Sequence, residues 1–253
     1  MMTNILNVRA HQKKRTIAYP NAEPQLPDRF RGRPKIDKAR CIAGCSLCAE
    51  ACPTDAIVWG TEGLSIDLGR CLFCGECAAV CPSKAITHTL DYHLAARKRQ
   101  DLVLYGEEMR LAVALDKESR RLFGHSLKLR EVSAAGCNAC EADVNVLSTI
   151  VFDLGRFGIQ FVASPRHADG ILVTGCVSRN MLLGLQKTYE AVPDPKIVIA
   201  VGACAISGGP FVDHPEIHNG IGSIVPVDLY VPGCPPHPIT ILDGLLRLLG
   251  KIQ

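Results

Sequence analysis

From residue 126 onward the chain alternates short apolar runs with helix-patterned stretches. Residues 127–132, 159–163, 171–174, 197–201 and 227–231 are rich in β-branched side chains and too short for helices, which predicts buried strands. Residues 140–156, 178–191 and 236–250 repeat at helical spacing, and in the last Ile239, Leu242, Leu245, Leu246 and Leu249 form one apolar face. Strands alternating with helices imply an α/β unit over 126–253, a parallel sheet covered on both faces. Upstream, residues 91–125 are charged, with Leu111, Leu115 and Leu122 near helical spacing, and read as a helical connector. Residues 36–90 read as a small α+β unit whose halves each hold a loop, a short helix and a strand, the strands at 56–59 and 85–88. Residues 1–35 contain Pro20, Pro24, Pro27 and Pro34 and no periodicity, so an extended arm is expected.

Composition sharpens this picture. The 253 residues, 47% of them hydrophobic, favour two domains with real cores. No run of eighteen apolar residues occurs, so no membrane span is expected, and the first residues lack the apolar stretch of a secretory leader. The net charge of +3 is uneven, because residues 1–40 hold ten Lys and Arg against three Asp and Glu. That basic arm (Lys13, Lys14, Arg15, then Arg29, Arg31, Arg33) is either a solvated tail or a partner-binding segment. Nucleic acid is not expected, since no aromatic platform accompanies the charge.

Thirteen cysteines change the picture most. Cys71, Cys74, Cys77, Cys81 and Pro82 stand at C-x2-C-x2-C-x3-C-P, the spacing of bacterial ferredoxins, in which the fourth cysteine serves the other cluster of a pair. A second run precedes it: Cys41-x3-Cys45-x2-Cys48-x3-Cys52-Pro53, one residue longer in its first gap. Thr54-Asp55-Ala56-Ile57 and Ser83-Lys84-Ala85-Ile86 follow the two runs, an internal repeat. The expectation is a two-[4Fe–4S] ferredoxin-like unit with crossed ligation: Cys41, Cys45, Cys48 and Cys81 on one cube, Cys71, Cys74, Cys77 and Cys52 on the other. Two structural zinc sites are the alternative, since four thiolates suit either metal. Trp59 is expected to pack over a cluster, with His88 and His93 at the surface. Metal-like cysteine spacing without a leader points to a reducing compartment.

In the second unit nearly every strand ends in a glycine and a cysteine: Gly136-Cys137 with Cys140, Gly175-Cys176, Gly202-Ala203-Cys204 and Gly233-Cys234. The carboxyl ends of parallel strands share one edge, where ligands bind, so five thiols gather where a third cube would fit. Coincidental buried cysteines are the competing reading.

Gly202-Ala-Cys204-Ala-Ile-Ser-Gly-Gly209, Val227-Asp-Leu-Tyr-Val-Pro-Gly-Cys234-Pro-Pro236 and Ser164-Pro-Arg-His-Ala-Asp169 closely resemble motifs of the flavodoxin-like subunit that carries the last cluster of respiratory complex I. The small subunits of energy-converting [NiFe]-hydrogenases, formate hydrogenlyase included, share them. Complex I has two adjacent cysteines where this chain has Cys137-Asn-Ala-Cys140-Glu141, which looks like the hydrogenase branch, although Ala139 replaces its usual glycine. Residues 36–90 resemble the ferredoxin subunit of the same complexes, so the chain resembles a fusion of two neighbouring subunits. The resemblance implies a flavodoxin-like fold and a third [4Fe–4S] cluster on Cys137, Cys140, Cys204 and Cys234, with Cys176 left over.

No phosphate loop, serine triad or flavin motif is present, so an electron-transfer subunit is expected, with the catalytic centre on a partner. The expected setting is a hydrogenase-like complex on the cytoplasmic side of the plasma membrane, with a catalytic large subunit, membrane subunits and an electron donor or acceptor protein. A complex I-like role delivering electrons to quinone is the alternative, and a zinc-bearing scaffold a third. Glu141 is either a proton-handling carboxylate or an ordinary first-turn glutamate favoured by the helix dipole. Arg166 and His167 either line a partner interface or cap a loop.

Overall fold

The structure, a computed structural model, describes residues 2–60, 63–106 and 109–252. In chain order the elements are α1 (Met2–Gln12), β1 (Pro34–Ile36), α2 (Leu47–Glu50), β2 (Ile57–Gly60), β3 (Gly63–Asp67), α3 (Glu76–Ala79), β4 (Ile86–His88), β5 (Val103–Leu104) and α4 (Lys117–Phe123). Then follow β6 (Leu127–Ser133), α5 (Ala139–Val146), β7 (Ile159–Phe161), β8 (Gly170–Thr174), α6 (Arg179–Ala191), β9 (Ile197–Val201), α7 (Ala203–Ser207), β10 (Leu229–Val231) and α8 (Pro238–Leu248).

The five strands from β6 onward form one parallel sheet in the order β10-β9-β8-β6-β7. Counted within the unit this is 2-1-3-4-5, the flavodoxin-like order, with its switch point between β6 and β8. Every residue of β8 and β9 is buried, which is why these strands read as unbroken apolar runs. Leu127, Leu129, Ile199 and Leu229 face α5 and α8, while Ile171, Val173, Val198 and Ala200 face the opposite core with Leu185 of α6. That second core continues into the cysteine-rich unit through Ile66, Leu68, Leu102 and Leu104. The Ser207 hydroxyl donates to the Gly69 carbonyl at 2.8 Å across the same join.

Several expectations are corrected. Residues 2–12 of the arm are helical rather than extended, and residues 4–12 are exposed. The remainder of the arm is a strap and not a free tail. Ile17 N–H donates to Val151 O, Arg156 donates to the carbonyls of Ile17 and Tyr19 (both 2.9 Å), and Tyr92 Oη donates to Glu23 (2.8 Å). Scattered apolar residues among prolines hid this, because Ile17, Leu26 and Phe30 pack singly against the core without a period to announce them.

The connector over 91–125 is mostly irregular; α4, capped by the Asp116 carboxylate, is its α-helical part among the described residues, and Glu107 and Glu108 lie outside them. Ala96 exchanges two backbone hydrogen bonds with Tyr230 beside β10, and β5 extends the β2–β3 hairpin to three strands. Edge pairing therefore overrode helix propensity. The helix expected over 140–156 ends at Val146, where the chain turns through Asp153 (φ +49°) into a 3-10 turn at Leu154–Phe157. Pattern reading also passed over β1, β3 and β5, each two to five residues long.

Helix α8 was expected to bury one face, yet all eleven residues are buried, including Asp243 and Arg247. The strap and the segments 92–95 and 112–115 cover its outer side; Leu115 N–H donates to Leu248 O at 2.9 Å. His93 is half-buried in the same layer rather than at the surface, held between Asp91 (2.7 Å) and Asp243 (3.7 Å).

Candidate metal centres

Each ferredoxin-like half builds a loop around sulfur. In the second, Gly75 turns through φ +87° so that α3 can start and carry Cys77; in the first, α2 carries Cys48. The folded halves cross. Cys41, Cys45, Cys48 and Cys81 line one cavity with Ile42, Leu47, Leu64 and Ile86. Cys52, Cys71, Cys74 and Cys77 line another with Ile57, Ile66, Leu72 and His88.

The repeat extends to the hydrogen bonds on sulfur. Ala56 N–H donates to Cys52 Sγ and Ala85 N–H to Cys81 Sγ, both at 3.2 Å, and Phe73 N–H donates to Cys71 Sγ at 3.3 Å. Thr54 Oγ1 lies 3.9 Å from Cys52 Sγ, and its counterpart Ser83 Oγ lies 3.6 Å from Cys81 Sγ. Burial, with lesser contributions from neighbouring thiols, pushes Cys71 up to about 12 and Cys77 to about 11. Burial acts on Cys81 in the same sense, but hydrogen bonds from Ser83 and the Ala85 backbone hold it below the usual thiol range.

The third set lies at the carboxyl edge of the parallel sheet. Cys137 follows β6, Cys140 sits in the first turn of α5, Cys204 in that of α7, and Cys234 follows β10. Burial, then the nearby Cys234, Cys176 and Cys137, raises Cys204 to about 12. Cys140 is raised more, by burial and by Cys204, Glu141, Cys234 and Cys137. Gly202 (φ +90°) is required here, since a Cβ on it would stand 2.5 Å from Cys140 Sγ. Cys234 is raised by burial, then by Cys137 and by Cys74, and it lines one cavity with Leu72 and Phe73, so this set adjoins the second ferredoxin-like loop.

The chemistry of these sets fits a cube better than a lone ion. All thirteen cysteines are free thiols, and four of them line each of the two ferredoxin-like cavities. A zinc ion would draw its sulfurs to about 2.3 Å from the metal. A four-iron cube instead takes one thiolate at each of four separated corners, behind an apolar lining with N–H donors on sulfur. Bound cations would also keep such strongly raised thiols ionised at neutral pH.

The other candidates fall as follows. Cys176 is buried and its thiol donates to Ala135 O at 3.3 Å, which requires that it keep its proton. Cys176→Ala is expected to leave iron content and visible spectrum unchanged and to cost about 1 kcal/mol of stability; loss of four irons would show it to be a ligand. Glu141 is buried, and its Oε1 accepts from Ser133 (2.5 Å) and Thr174 (2.7 Å) while Oε2 has no partner. Burial alone would raise this carboxyl, but those two hydroxyls hold it below the ordinary range. Sequence reasoning missed Glu131, raised to about 7 by burial and by Glu141. Its signal was a polar pair at positions i and i+2 of one strand, Glu131 and Ser133, which share a face. Trp59 donates its indole N–H to Cys45 O at 3.1 Å, and Arg166 and His167 are exposed in a 3-10 turn. His88, expected at the surface, lines the Cys52–Cys77 cavity because β1 and β4 pair beside it, and its Nε2 is buried without a partner.

Fold and cysteine sets define an iron–sulfur protein, a dicluster ferredoxin-like unit joined to a flavodoxin-like sheet. Residues 40–85 match the 4Fe-4S dicluster domain, and residues 137–248 match the family described as NADH ubiquinone oxidoreductase, 20 Kd subunit. A probable membrane-bound hydrogenase subunit of Pyrococcus furiosus is 42% identical over 132 residues, 52% of this chain and 79% of that one. An NADH-quinone oxidoreductase subunit of Heliobacterium modesticaldum is 43% identical over 121 residues, 47% of this chain and 69% of that one. Formate hydrogenlyase subunit 7 of Escherichia coli is 46% identical over 122 residues, 48% of each chain. The chain belongs to the family of the 20 kDa subunit of NADH:ubiquinone oxidoreductase, which includes hydrogenase subunits of this kind, and it carries a dicluster ferredoxin domain ahead of that unit.

Proposed function

We propose that this chain is the electron-transfer subunit of a membrane-associated, energy-converting hydrogenase-like complex, holding three [4Fe–4S] clusters and feeding a catalytic centre on a partner subunit. The observation that carries this reading is the cavity that Cys234 shares with Leu72 and Phe73, which sets the second ferredoxin-like loop against the strand-edge cysteines. When bound, each cluster supplies one-electron storage at a potential that its surroundings tune over about −700 to +450 mV. The chain's own residues do the rest. Twelve thiols place the three sites, apolar side chains exclude water, and N–H groups on sulfur set local charge. The Cys137-Asn-Ala-Cys140 spacing supports the hydrogenase branch over a quinone-reducing one.

No helix among the described residues is long and apolar enough to cross a membrane, so contact with membrane subunits would run through protein surfaces. The free thiols favour a reducing compartment and hence the cytoplasmic face. Anaerobically purified and reconstituted protein is expected to bind about twelve irons and as many sulfides, three cubes of four. A value near eight would remove the strand-edge cluster, and zinc without visible absorption would sink the electron-transfer reading.

A further inference from the structure

The geometry points to Arg31 as a positioning residue that raises the reduction potential of the cluster held by Cys52, Cys71, Cys74 and Cys77, and leaves its sibling untouched. This rests on the electron-transfer reading above and adds a device from the chain's own N-terminal strap.

The strap delivers Arg31 to a fixed place. Phe30 packs edge-on to the His237 ring at 5.5 Å, and Gly32 N–H donates to Thr89 O at 2.8 Å, so the residue between them is held at both sides. Arg31 Nη1 then donates to the Phe73 carbonyl at 3.2 Å, inside the loop between Cys71 and Cys74. A Cβ on Gly75 would stand 3.3 Å from Arg31 Nε, so the guanidinium lies directly against the turn that joins Cys74 to Cys77.

Its charge is not cancelled. Arg33 is paired with Asp91 at 2.9 Å and Arg99 with Asp67 at 2.6 Å, but no carboxylate among the described residues pairs with Arg31. Among the described residues the sibling loop has no such neighbour at its glycine turn. Gly44, its glycine at φ +77°, has open space where a Cβ would lie, and Arg40 nearby is paired with Asp37. His88, the other basic group on the cavity, is held below its usual range by burial and in part by Arg31, so it adds no competing positive charge at neutral pH.

Reduction adds one electron to a cluster, and a fixed cation beside it favours the reduced form. The effect is modest because Arg31 is exposed and water screens it. Arg31, Leu72, Phe73 and Cys234 line one cavity, so Arg31 acts on the site nearer the sheet edge and would draw the electron toward that cluster rather than leave it on the outer one.

The test compares wild type, Arg31→Gln and Arg31→Lys as cluster-loaded full-length protein, by redox titration with low-temperature electron paramagnetic resonance at low ionic strength. Gln keeps an amide that can reach Phe73 O but loses the charge; Lys restores the charge. The expected result is that Arg31→Gln shifts the reduction equilibrium of one cluster toward the oxidised form by up to about tenfold, 59 mV for one electron. Arg31→Lys should titrate close to wild type, with iron content unchanged in both. An unshifted Gln variant, a Lys variant shifted as far as Gln, or loss of iron from Arg31→Gln would overturn the inference. Absence of any reducible cluster signal in the wild type would instead overturn the electron-transfer reading itself.

Discussion

Replacing Cys204 with alanine is expected to remove about four of the twelve irons proposed for three cubes and to break the path between the ferredoxin-like pair and any partner. Cys204 is partly buried in the first turn of α7 and lies near Cys137 and Cys234. Three thiols leave one corner of a cube unheld, and no spare cysteine takes the place, since Cys176 is engaged with Ala135 O. The two upstream cavities draw their cysteines only from residues 41–81, so both should persist. Iron analysis and electron paramagnetic resonance of the reduced variant check this together. The expected outcome is eight irons, two remaining cluster signals and no electron delivery to the partner; twelve irons would show that the third set was chosen wrongly.

Asp243→Ala is expected to destabilise the fold by about 3–5 kcal/mol, because it leaves a buried arginine without its counter-charge. Asp243 is fully buried in α8, accepts from Tyr19 Oη at 2.7 Å, and pairs with Arg247 Nε at 2.9 Å. Burial and the bond to Asp243 push the Tyr19 hydroxyl well up, so it stays a neutral donor. Alanine would strand both partners in an apolar layer, where an unsatisfied group costs about 1–3 kcal/mol and a charge more. The strap should also loosen, since Tyr19 is one of its anchors. Two measurements apply: a lower thermal midpoint, and faster limited proteolysis within residues 13–33. A midpoint within a degree of wild type would show that the network carries no stability. Asp243→Asn, which keeps an acceptor for Tyr19 but not the charge, should fall between the two.

Much of the chemistry was legible in the chain because cysteine spacing is a local code. A tight loop can present thiols only at certain separations, so Cys71, Cys74 and Cys77 announce their geometry before any folding is considered. The strands of the parallel sheet were legible for a related reason: β8 and β9 are buried on both faces, and burial on both faces demands unbroken apolar runs. The illegible parts depend on what lies across from them. Ala96 is paired because Tyr230 happens to be beside it. The strap's Ile17 and Phe30 are single apolar residues among prolines, and nothing in their neighbours signals that a core awaits them.

What the sequence determined by itself, then, was the parallel α/β unit, the two ferredoxin-like runs and the gathering of Gly-Cys pairs at one sheet edge. Each follows from an interaction within a few residues or from a period that repeats along an element. Only the tertiary structure decided that Cys52 stands with the 71–77 loop and that Cys176 turns to a carbonyl. It also brought the loop of Leu72 and Phe73 against Cys234 and made the basic arm a strap that sets Arg31 on a cluster loop. These are contacts between residues tens to hundreds of positions apart. No local rule encodes them, because which surfaces meet is settled by the burial and pairing of the whole chain at once.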